Sequence, residues 1–256
     1  MLRIDFSSIF DRIKGKSVGI QLPDGLKYYA KDIAETFERK GFDVILSGKP
    51  SYGACDVDLD LLKHVDVLLH FGHTKLLDYD RVLYIPYEID YEIDPEFLKK
   101  EIEERRIAII GTASYAWKFK EIKKILEESG FEIKLKRGIR AEYEGQVLGC
   151  DYSSLEGLEA EAVLFIGDGR FHAIGASIYS KKKVYAYNPL TGEIEVIEDD
   201  FLKRRYFTVS KAKLCESFGI LVSTKPGQKR LGLAPVSYTH LRAHETSLHL
   251  VCRLLL

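Results

Sequence analysis

The sequence predicts an α/β fold: repeated small parallel-sheet domains with flanking helices, two complete copies and the start of a third. Three observations predict it. Short apolar runs alternate with longer runs whose apolar residues recur at helical spacing, so strands and helices take turns along the chain. The same series of runs returns after about ninety residues, beyond the usual solenoid period, which points to duplicated domains. Glycine-bearing loops follow the strand runs, at the place where open parallel sheets bind ligands.

The first copy opens with a polar amphipathic segment at 5–14. Residues 17–22 (SVGIQL) read as a buried strand, broken by Pro23, Asp24 and Gly25. Leu26, Tyr29, Ala30, Ile33 and Phe37 share one face of a helix over 26–40, and Gly41 ends it. A second strand is expected at 42–46, then the loop SYGACDVD (51–58) and a short helix at 59–64. A third strand follows at 65–71, then Gly72, His73 and Thr74 on a loop, and a fourth strand at 81–85. Strands alternating with helices imply parallel pairing through right-handed crossovers. The second copy repeats the order: strand 106–110, loop 111–114, helix 115–129 closed by Gly130, and strand 131–135. The loop GQVLGCDYS (145–153), strand 161–166, loop GDGRFH (167–172) and strand 183–187 complete it. The third copy begins with a connecting helix at 201–217, a first strand at 218–222 and the loop STKPGQ (223–228). The expected domains are 1–95 with Cys55, 96–200 with Cys150, and 201–234 as a linker helix and first strand.

From Pro235 the style of the chain changes. Residues 236–246 (VSYTHLRAHET) resemble one reading frame of a transposase-type sequencing adapter, and 249–256 (HLVCRLLL) resemble its continuation. The segment 235–256 is therefore expected to be an adapter-derived tail on a gene product cut short. His240, His244, His249 and Cys252 are left out of any site on that ground; a terminal His/Cys metal cluster is the alternative.

Composition narrows the function classes. Hydrophobic residues make 46% and charged residues 30%, as in a soluble globular protein. Charges interrupt every apolar run, so no membrane span is expected, and the first residues lack the pattern of a signal peptide. A net charge of −1 argues against binding nucleic acid by bulk charge. Four widely spaced cysteines in 256 residues do not make a disulfide framework. They read as reduced thiols or metal ligands in a cytoplasm. One asparagine and three glutamines beside many Lys and Glu give a composition of the thermophilic kind.

Cys55 and Cys150 stand at equivalent places, each on a loop leaving a second strand. A small residue precedes each (Ala54, Gly149) and an aspartate follows (Asp56, Asp151), leaving room for a bulky group to approach the sulfur. The reading from the residues is that both ligate one metal centre, with a third ligand elsewhere. Three thiolates on an iron–sulfur cube would leave one iron open to a small molecule. The plain alternative is that a lone cysteine is a small buried hydrophobe, the reading preferred for Cys215. His64 and His70 read as structural, whereas His73 and His172, on glycine loops after third strands, are site candidates. Tyr115 and Trp117 read as packing residues, and Lys181, Lys182 and Lys183 as a solvated helix end.

The stretches QLPDGL (21–26), YGACD (52–56), HFGH (70–73), GQVLGC (145–150), FIGDG (165–169) and GILVSTKPGQ (219–228) occur in this order. Together they resemble the archaeal diphthamide-biosynthesis enzymes, the 2-(3-amino-3-carboxypropyl)histidine synthases, over essentially all of 1–234. The resemblance implies a homodimer of three similar α/β domains, each giving one cysteine to a [4Fe-4S] cluster. It implies radical cleavage of S-adenosylmethionine, with transfer of the aminocarboxypropyl group to a histidine of elongation factor 2. An electron donor is then a further partner, and the enzyme is cytoplasmic. Cys55 and Cys150 carry over as cluster ligands, and no residue is singled out as catalytic. Gly25, Gly111, Gly227 and Gln228, on first-strand loops, and His73 become candidates for holding S-adenosylmethionine. A quinolinate-synthase-like iron–sulfur enzyme and a non-catalytic partner subunit are the rival readings.

Overall fold

The computed structural model describes every residue except 1, 5, 198–199, 216–217, 226–227 and 243–256. The chain divides into two units, Met1–Ile197 and Glu198–Leu256. In the first unit the short strand β1 (Leu2–Arg3) and helix α1 (Ser7–Phe10) precede β2 (Ser17–Gln21), α2 (Ala30–Glu38) and β3 (Asp43–Leu46). Then come β4 (Val67–Phe71), β5 (Val82–Ile85), β6 (Glu88–Ile89) and α3 (Pro95–Glu101). The second half holds β7 (Arg106–Gly111), α4 (Ala113–Ala116), α5 (Phe119–Glu128), β8 (Glu132–Lys134) and β9 (Ala162–Ile166). It ends with α6 (Phe171–Ser180), β10 (Lys183–Asn188) and β11 (Glu193–Val196). The second unit contains α7 (Asp200–Ala212) and α8 (Leu233–Arg242).

Two main sheets form, with strand orders β3-β2-β4-β5 and β8-β7-β9-β10-β11, beside a two-stranded antiparallel pair β1-β6. Within the two main sheets all pairs are parallel except β10–β11. In both, the first strand lies between the second and the third, so the duplication seen in the sequence is a duplication of topology. The alternation of side chains along β4 explains how each sheet buries both faces. Val67, Leu69 and Phe71 join Ile33 and Phe37 of α2 in one core. Leu68, between them, packs on the other face with Ala54, Val57, Leu62, Val82 and Tyr84. The Cys55 loop therefore stands in for a crossover helix on that face. The second sheet repeats the arrangement, with α5 supplying Phe119, Ile122 and Leu126 to one layer. Val147, Tyr152 and Leu155 join Ala173 and Ala176 of α6 in the other.

The elements end where local chemistry ends them. Gly41 (φ 87°) and Gly130 (φ 104°) follow α2 and α5 in a backbone conformation that side chains resist. Asp94 caps α3 by accepting from the Phe97 N–H at 3.0 Å, with Pro95 in the first turn. Asp66 Oδ2 accepts from both the Lys16 and Ser17 N–H groups, at 2.8 and 2.9 Å, and so ties the start of β2 to the residue before β4.

Several expectations are corrected. Residues 24–29 form a 3₁₀ turn, with the α-helix starting only at Ala30, because Pro23 and Gly25 leave the first turn tight. The helix expected at 59–64 is one 3₁₀ turn, Leu61–Lys63. The helix expected at 115–129 breaks into α4 and α5 at Trp117 and Lys118, whose side chains turn to the carbonyls of Ile89 and Tyr91. His172 lies within α6 instead of on a loop. The hairpin strand β11, helix α3 and the β1–β6 pair were not anticipated. Lys182 is not a solvated end: its ammonium donates to the Leu158 and Ala160 carbonyls. In the second unit, 218–222 forms no strand, since none of the described residues there supplies a pairing partner. Cys215 is exposed and not a buried hydrophobe: it lies past the end of α7, whose described residues are themselves largely exposed. The expected tail falls partly on α8; 243–256 lies outside the described residues. Among the described residues no helix is long and apolar enough to cross a membrane.

Candidate functional site

In a sheet whose first strand lies between the second and third, the connections leave in opposite directions and open a crevice at the strands' carboxyl ends. Those ends are Gln21 and Phe71 in the first sheet, Gly111 and Ile166 in the second.

The end of β2 holds the Cys55 loop in place. Gln21, fully buried, donates from Nε2 to the Asp56 carbonyl at 2.7 Å and accepts at Oε1 from the Asp58 N–H at 3.0 Å. Tyr84 OH donates to the Ala54 carbonyl at 3.4 Å. Asp58 anchors the far side, accepting from Ser47 Oγ at 2.7 Å, Lys49 Nζ at 3.0 Å and the Leu61 N–H at 3.2 Å. Burial works against its charge, but these bonds outweigh burial and hold its carboxyl below the usual range. Cys55 is a partly buried thiol on this braced loop, and Ser51 keeps a buried hydroxyl with no hydrogen-bond partner.

The Cys150 loop is built differently. Leu148 and Asp151 exchange both backbone hydrogen bonds at 3.0 Å, so Gly149 and Cys150 form the two-residue tip of a tight turn. Asp151 steadies its base, accepting from the Arg140 N–H and the Ser153 N–H, each at 2.9 Å. Burial opposes its charge and the hydrogen bonds prevail, so its carboxyl is held low. A Cβ on Gly149 would lie 2.7 Å from the Phe171 ring, so glycine is needed for that approach. Cys150 is an exposed thiol, and Ser154 beside the loop also keeps an unpartnered buried hydroxyl.

The two crevices are joined. Gln146, from the Cys150 loop, accepts from the Glu142 and Tyr143 N–H groups at Oε1 and donates to Thr74 Oγ1 at 2.7 Å. Burial raises the Tyr87 hydroxyl above its usual range, with Ser114 pulling it back. His70 Nδ1 meets Gln21 Oε1 at 2.8 Å, and His70 Nε2 meets His73 Nδ1 at 3.0 Å. Burial, with His73 adding to it, pushes His70 down to about 3. Burial likewise pushes His73 to about 4, against the pull of the Phe71 carbonyl and Asp56, with His172 adding to the fall. His172, stacked 6.3 Å from Phe165, is lowered by burial and pulled back by Asp168. A line of contacts and fields thus runs from the Cys55 loop through Asp56 and His73 to His172, whose neighbour Phe171 covers Gly149.

The structure sorts the expected site residues. His73 sits at the crevice. Gly25 lies on an open turn, with nothing within 4 Å of where a Cβ would stand. Gly111 is explained by packing, since a Cβ there would lie 2.5 Å from the Ile166 carbonyl. Gln228 is exposed in the second unit, and Gly227 lies outside the described residues. His70, read as structural, proves to be part of the polar chain, and Gln21, Gln146 and Asp168 were missed as individual residues. The scarcity of glutamine was the available signal, because two of the three in the chain are buried here. Among the described residues no three His, Cys, Asp or Glu side chains gather closely enough for a single bare ion.

The family model for putative diphthamide synthesis proteins matches residues 22–252, so the match runs on through much of the segment read as adapter-derived. The chain is similar to the 2-(3-amino-3-carboxypropyl)histidine synthase of Pyrococcus horikoshii, with 35% identity over 94% of this chain and 73% of that one. It is also similar to subunit 1 of the synthase of Encephalitozoon cuniculi, with 33% identity over 83% of this chain and 64% of that one. A crystal structure of Dph2 from Pyrococcus horikoshii with a 4Fe-4S cluster superposes with a TM-score of 0.86 and 36% identity, over 95% of this chain and 76% of that chain.

Proposed function

The chain belongs to the diphthamide synthesis family, and from that membership we propose that it transfers the 3-amino-3-carboxypropyl group of S-adenosylmethionine to a histidine of elongation factor 2, the first step of diphthamide synthesis. The observation that supports this most is the pair of cysteine loops, Cys55 and Cys150, at matching carboxyl-terminal edges of two matching sheets. The relatives are named as synthases of this kind, and a solved relative carries a 4Fe-4S cluster.

The residues fit such a cluster in kind. Two thiols stand on loops whose neighbours are small, and two buried hydroxyls beside those loops, on Ser51 and Ser154, have a donor to give. In this reading Cys55 and Cys150 hold the cluster with a third thiolate from elsewhere. When bound, the cluster supplies the one electron that opens the bond between sulfur and the aminocarboxypropyl carbon. The chain's own residues do the rest. The Gln21 clamp fixes the Cys55 loop, and the Leu148–Asp151 turn fixes Cys150. Gly25 leaves room beside the end of β2 for the nucleoside or carboxylate of S-adenosylmethionine, and Gln228 and His73 are further candidates to hold it. Dimer formation, an external electron donor and a cytoplasmic setting complete the proposal.

Anaerobic incubation of a full-length version of the chain, carrying the third ligand cysteine and reconstituted with iron and sulfide, with dithionite, S-adenosylmethionine labelled in the aminocarboxypropyl group, and elongation factor 2 tests the reading. Label on a histidine of the factor is the expected result. A reconstituted chain that binds S-adenosylmethionine yet leaves the factor unlabelled would defeat it.

A further inference from the structure

The polar chain at the end of the first sheet does more than hold a loop. Gln21 Nε2 faces a backbone carbonyl and its Oε1 faces a backbone N–H, so turning the amide over would set like against like at both ends. His70 Nδ1, 2.8 Å from that same Oε1, must therefore carry the ring proton. Burial keeps His70 neutral, so its Nε2 holds a lone pair and accepts from His73 Nδ1 at 3.0 Å. His73 is neutral for the same reason, and its one proton is thereby committed to Nδ1. The remaining nitrogen, Nε2, is unprotonated and lies on the side of the ring away from His70. The groups acting on His73 from beyond its own loop are the Asp56 carboxylate and the neutral ring of His172, which in turn feels Asp168. Lys75 and Arg170, the cations nearest in sequence to His73 and His172, are turned to Asp78 at 2.7 Å and Glu195 at 2.8 Å. A hydrogen-bond acceptor in the field of the Asp56 carboxylate suits a cation that carries N–H groups.

We propose that the Gln21–His70 chain locks His73 in its Nδ1–H tautomer so that Nε2 accepts a hydrogen bond from the α-ammonium of an amino-acid-bearing ligand in the crevice. The inference rests on the S-adenosylmethionine reading above for the identity of that ligand. His73 is then a ligand-binding residue, and Gln21 and His70 are positioning residues that act through it.

Two measurements test this. Long-range proton–nitrogen NMR of the ligand-free chain, labelled with nitrogen-15 in histidine, is expected to show His70 and His73 both protonated at Nδ1. A proton on Nε2 of His73 overturns the inference. Equilibrium dialysis of the reconstituted chain then compares S-adenosylmethionine with methylthioadenosine, which has the nucleoside but no ammonium. His73→Phe is expected to weaken S-adenosylmethionine binding by about tenfold or more, the effect of one hydrogen bond to a charged group, and to leave methylthioadenosine unchanged. Equal loss for both ligands, or loss for neither, overturns the role of His73 while the reading of the function stands. No binding of S-adenosylmethionine by the unaltered chain defeats that reading and this inference together.

Discussion

A thiol at the tip of a two-residue turn and a thiol on a braced loop are different ligands. Cys150 is exposed between Leu148 and Asp151, so replacing it removes little packing. Cys55 lies on a loop that also covers the sheet through Ala54 and Val57. Both Cys55→Ala and Cys150→Ala are expected to lower the iron and sulfide retained after reconstitution, while the thermal transition of the unloaded Cys150→Ala chain stays within about 0.5 kcal/mol of the unaltered one. Full iron content in either variant would remove that residue from the ligand set. The buried histidines make a second prediction. His70 and His73 bind protons far more weakly folded, at about 3 and about 4, than unfolded, at 6.5. Above 6.5 neither state holds these protons and their contribution is flat. As pH falls from 6.5 towards 4 the unfolded chain takes up as many as two more protons than the folded one. Stability then drops by up to about 2.7 kcal/mol per pH unit, on the rule of 1.36 kcal/mol per proton. Urea midpoints at pH 7 and pH 5 measure this, and a His70→Asn, His73→Asn double variant should flatten the slope.

At the scale of elements, two glycines with the same expected role separate. A Cβ on Gly111 meets the Ile166 carbonyl at 2.5 Å and the Phe119 ring at 2.7 Å, both fixed in the second sheet's core, whereas Gly25 faces open space. Gly111→Ala is expected to cost about 1–3 kcal/mol by overpacking and Gly25→Ala less than about 0.5 kcal/mol, read from urea unfolding. If Gly25→Ala instead weakens S-adenosylmethionine binding without loss of stability, its place in the ligand site is supported. The same contrast shows what the sequence makes legible. Buried strands are visible as apolar runs, and both sheets and both cysteine loops follow from them. Helix α6 was not visible from its start, because Arg170, Phe171 and His172 look like loop residues until Ala173 and Ala176 are placed on the sheet. The strand expected at 218–222 has the right residues, but strand structure depends on a neighbour to pair with. Gln21 and Gln146 escaped because a buried amide's task is set by backbone groups distant in sequence, Asp56 and Asp58 for one and Thr74 for the other.

At the scale of the whole first unit, polar bonds tie the second half to the segment that links it to the first sheet. Tyr91 OH donates to the Tyr115 carbonyl at 2.9 Å, Trp117 Nε1 to the Ile89 carbonyl at 3.1 Å, and Lys118 Nζ to the Tyr91 carbonyl at 2.7 Å. Tyr91, which precedes the second sheet in the chain, is buried in that sheet's core, so the linker is part of the second domain's interior. The Gln146–Thr74 bond adds a direct tie between the Cys150 loop and the loop after β4. These ties argue for cooperative unfolding of Met1–Ile197. Leu69→Ala in the first sheet and Leu164→Ala in the second, both fully buried, should each lose about 2–5 kcal/mol and lower the hydrogen-exchange protection of both sheets together. Gln146→Leu leaves the Glu142 and Tyr143 N–H groups and Thr74 unsatisfied. It should cost about 1–3 kcal/mol and speed exchange first at 72–74 and 142–147. If Leu164→Ala loosens only the second sheet, the crevice is a junction of two independent domains. Its geometry, and with it any shared hold on a ligand, would then depend on a bound group to keep the halves together.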